Sequence, residues 1–381
     1  MKNEKNNTRE VFLALVRGGL WEKSVQGSWF IDNGLLDWND VMQLAEEQSV
    51  VGLVTAGLEH VQDVKVPKEW VLQFVGKSLQ IEQRNEAMNA FVEDLYGRMQ
   101  RNGLYSILMK GQGIAQCYER PLWRTAGDID LLLNGDSYEQ AKKWFRTFSQ
   151  VDEDENVFRK RLNLKVDSWD VELHGTMRGE LGGRIDRLID EVQRDIFYGG
   201  DVRSWHNGKT TVFLPSANGD VIFVFTHILQ HFFRGGIGLR QICDWCRLMW
   251  TFRAELDLRL LESRIKRMGV MSEWKAFYYL ATHYLGMPDT GLSFMVQGSS
   301  DRRWKRKAER ILEYVMDVGN FGHNRDMSYK TERPFLVRMM ISLRHRTSDF
   351  MKQVMVFPKD AIRAYWYIRM TGLGVVLKWK R

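Results

Sequence analysis

Residues 107–134 read ILMKGQGIAQCYERPLWRTAGDIDLLLN, and this stretch decides the fold. Two short apolar runs, 106–109 and 129–133, have the length and composition of buried strands. A glycine-rich segment, 110–113, follows the first run, and a helical stretch is predicted over 114–118. The sequence therefore predicts a strand, a helix and a second strand in succession.

The same alternation continues downstream. A helix is predicted over 138–148 and one or two strands over 157–166. Apolar and polar residues alternate over 169–174, as expected for a half-buried strand. Short strands that alternate with helices are typical of a mixed α/β domain, and we place that domain at 104–215.

Helical periodicity dominates on both sides of this domain. Residues 1–103 are predicted to form an N-terminal helical segment that includes one long helix over 69–100. Residues 216–329 are predicted to form a helical domain, and residues 330–381 a basic helical tail. The expected fold class is α+β, with a small mixed sheet and a mostly helical remainder.

The composition excludes several classes of protein. The 381 residues are 44% hydrophobic and 27% charged, and only six prolines are present, which favours long helices over an all-β fold. The longest near-continuous apolar run, 221–229, is too short to span a bilayer, and three cysteines cannot form a disulfide framework. The N-terminus has no apolar signal segment, so we expect a cytoplasmic protein rather than a secreted or membrane-spanning one.

The positive charge is concentrated at one end of the chain. The net charge is +7, yet residues 330–381 alone contain 12 Lys and Arg against 3 Asp and Glu. Such a tail suits contact with nucleic acid, an anionic membrane or an acidic partner. A solvated helix face without a partner is the alternative interpretation.

The acidic pair Asp128 and Asp130 indicates a metal-binding site. Alternate side chains of a strand lie on one face, so these carboxylates are expected to project together, about 6–7 Å apart. Two such carboxylates repel each other unless a cation lies between them, and Mg²⁺ or Mn²⁺ would meet that need. Glu172, in another predicted strand, is expected to supply a third carboxylate. The predicted catalytic and metal-binding residues are Asp128, Asp130 and Glu172.

A polyphosphate needs cations and free backbone N–H groups, and the glycine-rich segment offers both. Lys110 is expected to neutralise one phosphate oxygen, and Arg124 to hold another with its planar fork. His174 shares a strand face with Glu172 and is expected to orient that carboxylate or to contact phosphate. The predicted nucleotide- and phosphate-binding residues are Lys110, Gly111, Gln112, Gly113, Arg124, Gly127 and His174.

Taken together, these motifs resemble a known family. The stretch 107–134 and the segment Val171-Glu-Leu-His174 look like the uncharacterised bacterial nucleotidyltransferase family of the polymerase-beta superfamily. The resemblance implies a polymerase-beta-type core, a nucleoside triphosphate substrate and Mg²⁺. It also implies that Asp128 and Asp130 are metal ligands and that Glu172 is the third carboxylate.

The same resemblance extends to a helical pattern, H-x3-H…R-x3-D, formed by His227, His231, Arg240 and Asp244. We expect these residues to support the nucleotide site from the helical domain. A zinc site and buried histidines with a structural role are two further interpretations of the histidine pair. The chain departs from the superfamily at Lys110-Gly111-Gln112, where a Gly-Ser or Gly-Gly pair is usual.

The predicted function is Mg²⁺-dependent transfer of a nucleoside monophosphate from an NTP to an acceptor hydroxyl, with release of pyrophosphate. Two alternatives stay open. The altered glycine motif suits a catalytically degenerate nucleotide-binding or scaffold module that docks through the basic tail. The same carboxylates and lysine also suit a phosphotransferase that moves the γ-phosphate. The sequence does not specify the acceptor, whether RNA, protein or small molecule.

Overall fold

A computed structural model describes most of the chain. The described residues are 2–27, 36–151, 155–156, 160–292, 301–320 and 335–367. The α-helices among them are α1 Lys2–Trp21, α2 Trp38–Glu47, α3 Val51–Glu59, α4 Lys68–Arg101, α5 Gly111–Ala115, α6 Gly135–Phe145, α7 Gly183–Tyr198, α8 Ala217–Arg234, α9 Leu239–Thr251, α10 Leu258–Met268, α11 Met271–His283, α12 Asp301–Val318 and α13 Phe335–Val356. The strands are β1 Val25–Gln26, β2 Val61–Gln62, β3 Ile107–Met109, β4 Ile129–Leu132, β5 Gln150–Val151, β6 Arg161–Val166, β7 Trp169–His174, β8 Val202–Asn207 and β9 Thr210–Pro215. The expected α+β fold class is confirmed.

Five strands form the main sheet, in the order β3-β4-β7-β6-β5. β4 and β7 run parallel, whereas the other neighbours in this sheet are antiparallel. The register pairs Asp130 with Glu172 and Leu132 with His174. Because paired residues of neighbouring strands point to the same side, Asp130, Glu172 and His174 share one face of the sheet.

The sheet separates two apolar cores. Ile129, Leu131 and Val171 lie in a core shared with α4 and α6. Leu132, on the opposite face, belongs to a larger core that joins helices α1–α3 to helices α7–α12. Strand alternation places Asp130 on the same side as Leu132, so the acidic residues are turned toward α8 and α9.

The long helix α4 confirms the prediction for residues 69–100. It begins directly after Pro67 and ends at Arg101, and the backbone N–H of the next residue, Asn102, donates to carbonyls of the last helical turn. Gly103 follows with a φ of +67°, a left-handed value that glycine adopts without strain. Buried residues in the second half of α4, among them Met88, Val92 and Leu95, belong to the core that contains Ile129 and Val171.

The helix predicted over 114–118 is shifted toward the N-terminus. α5 begins at Gly111 and ends at Ala115, so the glycine-rich segment lies inside the helix rather than before it. A Cβ atom on Gly113 would come within 2.6 Å of the Leu214 side chain. The glycine therefore permits α5 to pack closely against β9, a tertiary requirement that local sequence patterns do not reveal.

Residues 180–215 contain two elements that the sequence analysis did not predict, α7 and the β8–β9 hairpin. α7 is amphipathic and buries Ile185, Leu188 and Ile189 in the larger core. The hairpin turns at Gly208, which has a φ of +57°. The chain from 175 onward therefore returns to regular structure soon after the last strand of the sheet.

The basic tail is helical where it is described. α13 is followed by a helical segment over 358–367, and both pack on the helical part of the molecule. Residues 330–334 and 368–381 of the predicted tail lie outside the described residues. Across the described ranges, no helix has the length and the apolar character required to cross a membrane.

Candidate active site

A cavity of about 120 Å³ lies between the polar face of the sheet and helices α8 and α9. The predicted site residues that line it are Lys110, Gly111, Arg124, Gly127, Asp128, Asp130, Glu172, His227, His231, Arg240 and Asp244. These residues come from the two parallel strands, from α5, from the loop before β4 and from the two helices. The fold thus brings together the acidic motif and the helical motif, which are about a hundred residues apart in the chain.

Asp130 and Glu172 form the acidic centre of this cavity. They are register partners on β4 and β7, and Asp130 is only 1% exposed. His174 lies beside both, with its Nε2 atom 2.8 Å from Asp130 Oδ1 and 3.3 Å from Glu172 Oε2. One atom from each of these three side chains lies within 4.8 Å of the other two. Asp128, one residue before β4, is exposed and lines the same cavity.

Lys110 presents its ammonium group to this acidic centre. Its backbone has φ +56° and ψ −143°, a conformation that costs a non-glycine residue about 1–3 kcal/mol. The Nζ atom lies 3.0 Å from Asp130 Oδ2. Burial acts to lower the pKa of Lys110, but the carboxylates of Asp130, Asp128 and Glu172 outweigh burial and raise it. The lysine therefore stays charged in the cavity.

The carboxylates and His174 influence one another's titration. The negative charge of Asp130 raises the pKa of Asp128. Burial also acts to raise the pKa of Asp130, but Lys110 and His174 hold that pKa far below its usual range. Burial acts to lower the pKa of His174, and its hydrogen bonds with Asp130 and Glu172 raise it. Asp130 is consequently ionised and faces positive charge before any ligand binds.

Arg161 is a cavity residue that the sequence analysis did not select. Its Nη2 atom donates to Glu172 Oε1, and its Nε atom donates to Asn163 Oδ1 at 3.2 Å. On β6, polar Arg161 and Asn163 alternate with buried Leu162 and Leu164, so a polar strand face was visible in the sequence. The pairing of β6 with β7, which brings that face to Glu172, was not visible.

Arg124 is tied to Asp244 and does not present the free fork expected of a phosphate ligand. Its Nε and Nη2 atoms donate to the two oxygens of Asp244, each at 2.7 Å. The hydroxyl of Tyr118 donates to the same carboxylate at 2.8 Å. Burial acts to lower the pKa of Arg124, but Asp244 raises it. This pair fixes α9 to the loop that precedes the acidic motif.

Arg240 lines the cavity from the first turn of α9. Its Nη1 atom donates to the Thr125 carbonyl at 2.5 Å. Its Nε atom is buried and has no hydrogen-bond partner among the described residues. Burial lowers the pKa of Arg240, and the nearby Arg124 lowers it further. Arg240 is therefore a cation of the cavity whose hydrogen-bonding capacity is not fully used.

His227 and His231 lie one turn apart on α8, with ring centroids 4.4 Å apart. Burial lowers the pKa of His227 well below its usual value and that of His231 to about 4, and Lys110 contributes to both shifts. Both rings are thus neutral near pH 7. The group of metal-ligand side chains found among the described residues is Asp130, Glu172 and His174, and this group does not include the histidine pair.

Three predicted residues do not line the cavity, namely Gln112, Gly113 and His174. Gln112 is buried and donates from Nε2 to Asn85 Oδ1 at 3.1 Å, away from the carboxylates. Gly113 packs against β9, and His174 lies behind Asp130 and Glu172. Gln112 and Gly113 therefore hold α5 in place rather than face the cavity.

The donor set of the acidic centre fits a divalent cation. Asp130 and Glu172 offer carboxylate oxygens, which Mg²⁺ and Mn²⁺ prefer, and His174 adds a nitrogen that transition metals accept. The cations that line the rest of the cavity suit an anionic ligand next to the metal.

Comparison with known proteins agrees with this chemistry. A family model described as an uncharacterised nucleotidyltransferase matches residues 35–286, about two thirds of the chain. The match includes every residue of the cavity described above. Neither the curated proteins nor the solved structures gave a match. The chain belongs to this family of uncharacterised nucleotidyltransferases, for which a nucleotide is the implied substrate.

Proposed function

We propose that this protein transfers a nucleoside monophosphate from an NTP to an acceptor hydroxyl, with Mg²⁺ or Mn²⁺ as the metal and a polymerase-beta type of core. The acceptor oxygen forms a bond to the α-phosphorus, and the bond from the α-phosphorus to its leaving oxygen breaks. Pyrophosphate leaves, and the acceptor proton passes to a base. RNA, a protein side chain and a small molecule are the acceptor classes to be tested.

One observation supports this proposal above the others: a buried carboxylate, a half-buried carboxylate and three cations meet in one cavity. Asp130 and Glu172 lie on neighbouring strands, and Lys110, Arg161 and Arg240 line the same space. A metal–triphosphate complex needs carboxylates for the metal and cations for the phosphates. A cavity with only one of these two sets would suit a metal or an anion alone.

Asp128, Asp130 and Glu172 would hold the metal, and His174 would orient Asp130 and Glu172. When bound, the metal would neutralise charge on the phosphate oxygens. Glu172 would take the proton from the acceptor hydroxyl. Lys110 would exchange its contact with Asp130 for a phosphate oxygen, since the metal would then balance the charge of Asp130.

The remaining residues would complete the phosphate side of the site. The backbone at Gly111 and Gly127 leaves room for a phosphate to approach, and a Cβ atom on Gly127 would meet no neighbouring atom. Arg240 would use its unpartnered Nε atom. Arg124 would act through Asp244, by keeping α9 against the loop that carries Gly127.

The test is a transfer assay with wild type and the Asp128→Asn/Asp130→Asn variant. Each protein receives the four α-labelled NTPs in turn, with Mg²⁺ or Mn²⁺ and a cell extract as acceptor source. Asp167→Asn, which changes an exposed carboxylate in the β6–β7 turn, serves as the matched control. Label transfer by wild type and by this control, but not by the double variant, supports the proposal. Release of nucleoside diphosphate instead of pyrophosphate would identify γ-phosphate transfer. Equal transfer by all three proteins would contradict the proposal.

The surface of the tail favours a second function, docking on an anionic membrane. In the described part of the tail, the large apolar side chains that are exposed are Val337, Met340, Leu343, Met351, Met355, Ile362 and Trp366. The exposed cationic side chains in the same part of the tail are Arg344, Arg346, Lys359 and Arg363. Of the carboxylates in the described tail, Asp349 is buried and Asp360 is half-buried. A surface with apolar and cationic groups suits an anionic lipid interface, whereas nucleic acid is bound mainly through cations and aromatic rings.

Vesicle sedimentation tests this second function. We expect wild type to bind vesicles that contain phosphatidylglycerol, but not vesicles of phosphatidylcholine alone, and to dissociate at high salt. Met351→Ser/Met355→Ser should weaken binding, whereas Leu72→Ser/Leu79→Ser, which removes two exposed leucines from α4, should not. Equal binding of the anionic vesicles by the methionine variant and the leucine variant would contradict membrane docking. Binding of RNA in place of vesicles would also contradict it.

A further inference from the structure

A second cavity of about 300 Å³ lies at the carboxyl ends of the two parallel strands, next to α7. We name it the distal cavity, and its lining includes Asn134, Lys160, Thr176, Arg178, Arg194 and Tyr198. It shares no lining residue with the candidate active site.

The distal cavity is the next opening along the polar face of the sheet. Asn134 follows Asp130 by four residues, and Thr176 follows Glu172 by four. At about 3.3 Å per residue, this spacing corresponds to about 13 Å along the strands. Pairing continues past the end of β4, since the Leu133 N–H donates to a β7 carbonyl at 2.9 Å. Leu132, which is buried, and His174, which is half-buried, lie between the two cavities on this face.

The distal cavity has more positive charge than it can balance internally. Arg178 donates from Nε and Nη2 to the two oxygens of Asp190, at 2.7 and 2.5 Å, so these two charges offset each other. Lys160 and Arg194 also line the cavity and are exposed. Neither forms an ion pair with any residue in the described ranges. Two cations thus face the cavity without a carboxylate partner there.

Hydrogen bonds connect the two sides of this cavity, and its wall ends in an exposed aromatic ring. Gln193 accepts a hydrogen bond from the Met177 N–H at 3.0 Å and donates to the Gly175 carbonyl at 3.2 Å, which fixes α7 to the end of β7. Tyr198, the last residue of α7, is 78% exposed. An exposed aromatic ring beside cations can stack on a base or a sugar while the cations hold a phosphate.

We propose that the distal cavity binds the acceptor through a phosphate group, held by Lys160 and Arg194, so that the acceptor hydroxyl lies near Asp130 and Glu172. This inference rests on the proposed nucleotidyl transfer. The negative charge of a phosphate diester or monoester complements the two cations that lack partners. The phosphate belongs either to an RNA strand or to a phosphorylated small molecule, and the spacing of about 13 Å between the cavities allows both.

Two binding measurements on the full chain test this inference. The probes are a fluorescently labelled five-nucleotide RNA and ribose 5-phosphate. The Lys160→Ala/Arg194→Ala variant is compared with Lys143→Ala/Arg187→Ala, which removes two exposed cations from the neighbouring helices α6 and α7 outside the cavity. We expect wild type to bind at least one probe and the cavity variant to bind it at least tenfold more weakly, with the control unchanged. Binding of RNA alone identifies a nucleic-acid acceptor, and binding of the sugar phosphate identifies a small one.

Binding of neither probe would overturn the inference. Equal weakening in both variants would also overturn it, because general surface charge would then explain the binding. Metal-dependent NTP binding is measured in the same three proteins and should be unchanged, since the distal cavity lies apart from the candidate active site. If metal-dependent NTP binding is absent from all three proteins, the proposed nucleotidyl transfer is contradicted. This result differs from one in which NTP binds but neither probe binds the distal cavity.

Discussion

Each of the two cavities contains an arginine that donates two hydrogen bonds to a carboxylate, but the two ion pairs differ in their exposure to solvent. The Arg124–Asp244 side chains are 4% and 5% exposed, whereas the Arg178–Asp190 side chains are 52% and 31% exposed. The bond lengths are similar, at 2.5–2.7 Å. Solvent therefore decides what each pair contributes, because a buried charge without its partner is costly and an exposed one is hydrated.

The same difference applies to the cavities as a whole. In the candidate active site, Lys110 faces Asp130 and Arg161 faces Glu172, so charges are matched before a ligand arrives. In the distal cavity, two exposed cations lack a carboxylate partner among the described residues. A buried site must be internally balanced in order to fold, whereas a surface site can keep an excess of charge for its ligand.

The largest expected difference in the free energy of unfolding is between variants of the two ion pairs. Arg124→Leu leaves Asp244 buried without its partner and should lower the free energy of unfolding by about 3–5 kcal/mol. Arg178→Leu leaves Asp190 in contact with water and should lower it by less than about 1 kcal/mol. Urea unfolding measures both values. The Arg124→Leu/Asp244→Leu variant should lose less stability than the sum of the losses in Arg124→Leu and Asp244→Leu. Equal losses in Arg124→Leu and Arg178→Leu would contradict the difference between the buried and the exposed ion pair.

The sequence located the elements with strong periodicity and missed the contacts between them. β4, β7 and α4 lie within a few residues of their predicted positions, since apolar runs and alternation are local signals. The acidic motif was recognised for the same reason. The partner of Arg124 lies 120 residues away, and the approach of Arg161 to Glu172 depends on strand order. Such tertiary pairings have no local signature, so the roles of these two arginines could not be derived from the sequence.

The dependence of stability on pH is expected to show an effect of intermediate size from His231, which is half-buried. The pKa of His231 falls from 6.5 to about 4 on folding. Between these pH values the unfolded chain binds a proton that the folded protein does not, so stability should decrease as pH falls through this window, by at most about 3 kcal/mol. His231→Gln should flatten the dependence of unfolding free energy on pH between 4 and 6.5.

His174 provides the contrast to this pH effect. Its pKa is raised in the folded protein, so its contribution to stability is present below pH 6.5 and is lost as pH rises through the raised value. His174→Gln should therefore reduce the loss of stability that wild type shows as pH rises above 6.5, and the urea series is extended into that range. The same urea series gives both results, and profiles of identical slope for the two variants would contradict the assigned protonation states.

A smaller effect is expected at two glycines near the active-site cavity. Gly113→Ala forces a Cβ atom against Leu214 and should lower the free energy of unfolding by about 1–2 kcal/mol after the gain in helix propensity. Gly127→Ala meets no neighbouring atom and should change stability by less than about 0.5 kcal/mol. Thermal and urea unfolding measure the difference. If Gly127→Ala lowered the free energy of unfolding by more than Gly113→Ala does, the packing described for α5 would be incorrect.

The most direct test of the central claim is metal binding in the presence of a nucleotide. Mn²⁺ binding is followed by electron paramagnetic resonance in wild type and in Asp130→Asn, each with and without ATP, and Asp167→Asn serves as the control. We predict that ATP strengthens Mn²⁺ binding in wild type and in the control, and that Asp130→Asn loses this binding. Mn²⁺ binding that is unaffected by Asp130→Asn would contradict the assignment of this cavity as the site of nucleotidyl transfer.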